Sequence, residues 1–194
     1  VWTTTPGTVS SNVAAAVGPD LAYVRIQQGD ESYWLGKGTL KTAARGPFKV
    51  VEERPGSELV GWTYRGPFDH LPAVQAAFAE GKDALGAPGY THRIVAWNEV
   101  GEEEGTGIVH IAPGCGAEDF GLGKEQALPI VAPLDESGHY LATFGELAGL
   151  DAMNVAPRIV EHLEATGFYY HLEPYKHRYP HCWRCGTALI FRVV

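Results

Sequence analysis

Apolar residues arrive in this sequence as short alternating runs, each closed off by glycine or proline, and that punctuation favours paired strands over a helical bundle. The runs "LAYVRIQ" (21–27) and "SYWLG" (32–36) alternate around Gly29-Asp30, which predicts a hairpin. Val1 to Thr5 is β-branched and aromatic and reads as a strand stopped by Pro6 and Gly7. Further strands are expected at 39–44, 47–53, 58–64, 92–98 and 107–112. Residues 70–80 carry Leu71, Val74 and Phe78 near helical spacing. Residues 154–166 give the better helix: Val155, Ile159, Val160 and Leu163 share a face, Asn154 can cap, Pro157 falls in the first turn and Gly167 can end it. The expected class is α+β, a strand-rich, twisted, antiparallel, barrel-like sheet with a few short helices. Residues 1–175 are expected to form the main domain and 176–194 a return segment.

Composition narrows the partners. A formal charge of −8 argues against a surface that grips duplex nucleic acid throughout, so any RNA contact must be local. The stretch "YKHRYPHCWRC" offers one, with Lys176, Arg178 and Arg184 alternating with Tyr175, Tyr179 and Trp183. No apolar run reaches membrane-spanning length, and no basic-then-apolar leader opens the chain, so neither a membrane nor a secretory route is expected. Three cysteines are too few for a disulfide framework and fit a reducing, cytoplasmic setting. The chain opens on Val1 and Trp2 without Met and stops inside "ALIFRVV", which predicts a piece of a larger protein.

Two stretches carry chemistry. "TTTPGTVSSN" (3–12) gathers small hydroxyls with little apolar bulk. "GTGIVHIAPGCGAEDF" (105–120) reads as a strand, a glycine-rich turn and a helix start. Strand alternation puts His110 on the face of Ile108 and Ala112, where a hydrogen-bonded structural histidine is the plain alternative to a functional one. Asp119 falls in the first helical turn, a position a carboxylate favours with or without a function. Cys115 reads better as a small thiol than as a nucleophile, since the sequence fixes no partner for it. Glu102 to Glu104 read as a solvated loop. No nucleophile elbow, phosphate-binding loop or paired-histidine zinc motif is present.

Four stretches in order, "VWTTTPGTVSSNVAAAV", "ELVGWTYRGPFD" (58–69), "GTGIVHIAPGCGAEDF" and "YPHCWRCGTALIFR" (179–192), resemble the editing domain inserted in isoleucyl-tRNA synthetase. The valyl and leucyl editing domains are similar but typically have Arg where this chain has Thr5. The resemblance implies hydrolysis of valine misattached to the isoleucine tRNA, and of valyl-adenylate as a further substrate, by direct attack of water. Asp119 would bind the α-ammonium, His110 would lie beside the aminoacyl chain, and Thr5 would join them in the catalytic set. Trp2, Thr3, Thr4, Thr8 and Asn12 would bind substrate. A threonine has valine's shape with a hydroxyl in place of a methyl, so it can line such a pocket and still serve water or ribose. In an extended strand only part of the run could face one pocket.

The resemblance further implies the 3′ end of the tRNA and the remainder of the synthetase as partners, with a monomeric state. ATP, Mg and Zn would belong to the whole enzyme, and Cys182 with Cys185 would be half of a zinc site completed elsewhere; the fragment itself is expected to hold no cofactor or tight zinc. One departure stands out: the threonine peptide usually continues Trp, Thr, Leu, Pro, whereas Gly7, Thr8, Val9 and Ser10 follow here. Three alternatives stay open: a non-catalytic tRNA-binding insert, the editing domain of a related synthetase, and a zinc-ribbon nucleic-acid module.

Overall fold

The computed structural model describes residues 1–176 and 178–193; His177, inside the basic-aromatic stretch, and Val194 lie outside the described residues. At the centre is β1 (Ala14–Val17), a strand the sequence reading did not anticipate. All four of its residues are buried. Alanine is a poor strand former by propensity, so the segment gives little local signal, yet its small side chains let other elements close in on both faces. Strand β1 pairs in parallel with β5 (Arg93–Ala96) and antiparallel with β6 (Ile108–Ile111).

The two faces of this sheet serve different cores. Ala14 and Ala16 join Val95 and Ile111 against Phe68, Leu71, Phe144 and Ile159, while Ala15 and Val17 join Ile108 against Tyr23 and Leu59. The expected hairpin forms the second sheet: β2 (Ala22–Gln28) pairs with β3 (Glu31–Gly36) through a turn at Gly29 and with β4 (Lys49–Pro55) on its other edge. Tyr23 ties the sheets together by donating to the Gly107 carbonyl at 2.7 Å and accepting from the Gly18 amide at 2.9 Å.

The α+β class is borne out, and the strands resolve into two open three-stranded sheets, one containing a parallel pair. Local readings differ in three places. Residues 39–44 hold a short helix, α1 (Leu40–Ala43), and 58–64 begins in α2 (Gly56–Leu59) and then runs beside β5, with a bridge from Thr63 to Arg93 and backbone bonds from Gly61 N to the Ile94 carbonyl and from Tyr64 N to the His92 carbonyl. Val1 to Thr5 contributes a single bridge, Trp2 to Val109, before a 3₁₀ helix spans Pro6–Ser11. There Thr8 Oγ1 donates to the Thr5 carbonyl and Ser10 Oγ to the Gly7 carbonyl, each at 2.9 Å. Hydroxyls returning to carbonyls three residues back give the backbone a local alternative to pairing, which strand propensity does not register.

Helix α3 (Pro72–Glu80) and helix α4 (Ala117–Glu125) form where expected. Helix α5 (Ala156–Thr166) ends at Gly167 in the left-handed conformation, with Phe168 N donating to the Leu163 carbonyl. Val155 occupies its N-cap, and Asn154 donates instead to Asp151 Oδ2 at 2.8 Å. Ile159 anchors α5 in the main core.

Candidate active site

The hydroxyl-rich segment folds onto strand β6 through His110. Thr8 Oγ1 lies 2.9 Å from His110 Nε2, and Asn12 Nδ2 lies 2.8 Å from His110 Nδ1. The orientation of the Asn12 amide is set by the Ala14 carbonyl (2.9 Å), which takes one of the two NH₂ hydrogens and leaves the other for His110, with the Ile111 carbonyl farther off at 3.4 Å, and by Tyr64, whose hydroxyl donates to Asn12 Oδ1 at 2.7 Å. With an amide N–H directed at it, His110 Nδ1 must accept. The proton is therefore on Nε2 and is donated to Thr8 Oγ1, whose own hydrogen goes to the Thr5 carbonyl. The ring is 8% exposed, and burial pushes its pKa down to about 4. His110 is a neutral, doubly engaged group with no nitrogen free for proton transfer in this arrangement.

Asp119 approaches from the next element. Helix α4 begins after Gly116, and Asp119 in its first turn accepts the Ala112 amide on Oδ2 at 2.9 Å. Its Oδ1 takes no hydrogen bond among the described residues. Burial raises the carboxyl above its ordinary range, with the Ala112 amide opposing. The preceding turn is tightly built: a Cβ at Gly114 would fall 2.2 Å from the Val131 carbonyl oxygen, so only glycine passes there. Cys115 in that turn neighbours both Ser11 and Asp119, and burial pushes its thiol up to about 12. Ser11 Oγ is buried without a hydrogen-bond partner of good geometry.

Thr8, Asn12 and His110 are thus in direct contact, and Asp119 joins them through the backbone just past His110. The rest of the expected set is nearby in sequence but differently engaged. Thr3 Oγ1 accepts the Thr5 amide at 3.1 Å. Thr4 is half-buried with no side-chain hydrogen bond among the described residues, and the Thr5 side chain is exposed. Trp2 packs across Gly105 and meets Tyr175 edge-to-face, ring centroids 4.9 Å apart. Gly7 gives its carbonyl to the Tyr140 hydroxyl at 2.8 Å.

Four residues that the sequence reading did not single out, Tyr64, His92, Asp69 and Gly66, support the set. Tyr64 lies inside a stretch already notable, "GWTYRGPFD", and holds Asn12. His92, 3% exposed, stacks on Tyr64 with centroids 4.7 Å apart. Its Nδ1 faces the Val13 carbonyl at 3.0 Å and its Nε2 faces Asp69 Oδ1 at 2.7 Å. Both ring nitrogens are thus engaged by oxygen atoms of neighbouring elements. A Cβ at Gly66 would strike His92 Nε2 at 2.5 Å, so that glycine makes room for the pair. No local motif marks His92; only the pairing of β5 beside β1 brings it here.

Cys182 and Cys185 lie on a turn closed by Gly186 N donating to the Cys182 carbonyl. The Thr187 hydroxyl, 3.3 Å from Cys185 Sγ, leads the effects that hold that thiol down to about 7. No third Cys, His or carboxylate joins them among the described residues, so the pair does not by itself fit a closed four-ligand zinc site.

No protein-family model matches the chain. The chain is homologous over 99% of its length to a segment of isoleucine–tRNA ligases: it is 37% identical to that of Pyrococcus horikoshii and 40% identical to that of Pyrococcus abyssi. It spans 18% of the length of each of these curated relatives. Among solved structures it is similar to GlLeuRS-CP1, with a TM-score of 0.62 at 16% identity, covering 89% of this chain and 82% of that one. At that identity the likeness concerns the fold.

Proposed function

We propose that this chain is the editing module of an isoleucine–tRNA ligase and hydrolyses the ester between valine and the isoleucine tRNA. The observation that carries the reading is the meeting of Thr8, Asn12 and His110 beside the amide that holds Asp119. Homology along the whole chain supports it. The chemical need is plain: one methylene is worth only about 1–3 kcal/mol in an apolar pocket, a limit for which this synthetase is itself a standard example. A second site must therefore destroy the valyl product.

In this reading Asp119 Oδ1 receives the α-ammonium. That contact restores the ionised carboxylate that burial disfavours. Thr4 and Thr5 bind the terminal ribose, with Trp2 and Thr3 beside them. Water adds to the ester carbonyl, the tetrahedral adduct collapses, and the ribose oxygen leaves with a proton, releasing valine and a free tRNA terminus. The ester is already activated, so orientation supplies much of the rate. His110 positions Thr8 and Asn12 and walls the aminoacyl side chain. Valyl-adenylate would be cleaved by the same arrangement.

The 3′ end of the tRNA and the rest of the ligase are the partners of this reading, with residues 176–194 leading back toward the latter. ATP and Mg act in the synthetic reaction there. Trp183, 87% exposed with the Arg184 guanidinium 4.9 Å over its ring, offers a stacking face for RNA. The module is taken as monomeric and cytoplasmic; no helix among the described residues is long and apolar enough to cross a membrane. Incubating the chain with valyl-tRNA and isoleucyl-tRNA of the isoleucine acceptor tests the reading. Release of valine with retention of isoleucine is expected, and a chain that leaves both esters intact would point to a non-catalytic insert.

A further inference from the structure

We propose that His70, Glu146 and His162 form a binding site for a late first-row divalent cation such as Zn²⁺ or Co²⁺, pinning α5 to the turn before α3. The three come from separate elements. His70 precedes α3, Glu146 lies in the second 3₁₀ helix (Ala142–Leu147), and His162 is on α5. One ligand atom from each falls within 4.8 Å of the other two. Glu146 Oε1 is 3.0 Å from His70 Nε2 and 3.4 Å from His162 Nδ1. Ligands about 2.0–2.2 Å from one tetrahedral ion are roughly 3.3–3.6 Å apart. Two of the three separations are close to that, and the exposed His70 ring can close the third.

The second observation concerns His162. Its Nε2 donates to the Pro67 carbonyl at 2.8 Å, the outer-shell bond that fixes the tautomer of metal-binding histidines. That bond turns Nδ1, the other ring nitrogen, toward Glu146 Oε1 at 3.4 Å. The ring cannot turn away, because it stacks on Phe68 with centroids 4.3 Å apart and planes at 20°. His70 lies parallel to it, 5.1 Å away, so the half-exposed His70 ring turns out of the stack when both rings share one ion. Two imidazoles and a carboxylate suit zinc, cobalt or nickel better than magnesium or calcium. Water would complete the coordination. This site is separate from the Thr8–His110 cluster and does not depend on the editing reading.

The test is titration of Co²⁺ and Zn²⁺ into tag-free chain carrying Cys182→Ser and Cys185→Ser, followed by calorimetry and by visible absorption of bound cobalt near neutral pH. One equivalent should bind, raise Tm, and bind at least about tenfold more weakly after His70→Ala or Glu146→Gln. Side-chain nitrogen NMR of the same chain should shift His70 Nε2 and His162 Nδ1 on zinc addition. Absence of saturable binding, binding unchanged by either substitution, or zinc that moves other histidines would overturn the proposal.

Discussion

Thr8 and His110, 102 residues apart in sequence, meet at 2.9 Å through Oγ1 and Nε2. Asn12 closes the other side of the ring at 2.8 Å. The imidazole is therefore a bracket between the hydroxyl-rich 3₁₀ helix and strand β6, and its neutrality is part of how the bracket works.

Stability should follow that neutrality. The folded pKa of His110, about 4, is below the ordinary value of 6.5, so the neutral form contributes fully above about pH 6.5 and its contribution is lost as pH falls toward 4. The loss is on the order of 3 kcal/mol. Urea unfolding at neutral and acidic pH should show it, and His110→Gln should flatten the dependence across that window. Asp119, whose carboxyl burial raises, works in the opposite sense: its contribution is present below the ordinary carboxylate range and is lost as pH rises through the raised value.

Asp119→Ala should remove the partner of the substrate ammonium. Losing one member of a buried charge pair costs about 3–5 kcal/mol, so kcat/KM for valyl-tRNA should fall at least about a hundredfold. N-acetylation of the valine should slow the native chain and leave the variant unaffected. Equal slowing of both would remove Asp119 from ammonium binding.

Cys115→Ser should leave deacylation within a few-fold of native. A thiol pushed up to about 12 supplies no useful thiolate at neutral pH. Intact-mass spectra during turnover should show no acyl adduct.

Gly7 should resist any side chain at its position. A Cβ would lie 3.0 Å from Val155 Cγ1 and 3.1 Å from the Tyr140 hydroxyl. Gly7→Ala should cost about 1–3 kcal/mol through overpacking, read as a lower Tm, and Tyr140→Phe in the same chain should recover part of it.

Much of this was legible in the chain itself where side-chain pattern and backbone need agree. The hairpin at Gly29, helix α5 with its Gly167 stop, and the strand-turn-helix carrying His110 and Asp119 all formed as read. What was hidden depended on tertiary context. Ala14–Val17 became the central strand because its smallness suits two-sided packing, and residues 6–11 turned into a 3₁₀ helix because Thr8 and Ser10 bond backwards. The state of His110 followed from the carbonyl of Ala14 acting through Asn12, and strand alternation says nothing of such a relay. His92 escaped notice for the same reason.

The measurement that bears most directly on the account is a crystal structure of the chain with a non-hydrolysable valylamino analogue of the terminal adenosine. The analogue's ammonium should rest on Asp119 Oδ1, its ribose against Thr4 and Thr5, and its side chain beside His110. An analogue seated elsewhere, or an Asp119 that stays unengaged while the ligand is bound, would contradict it.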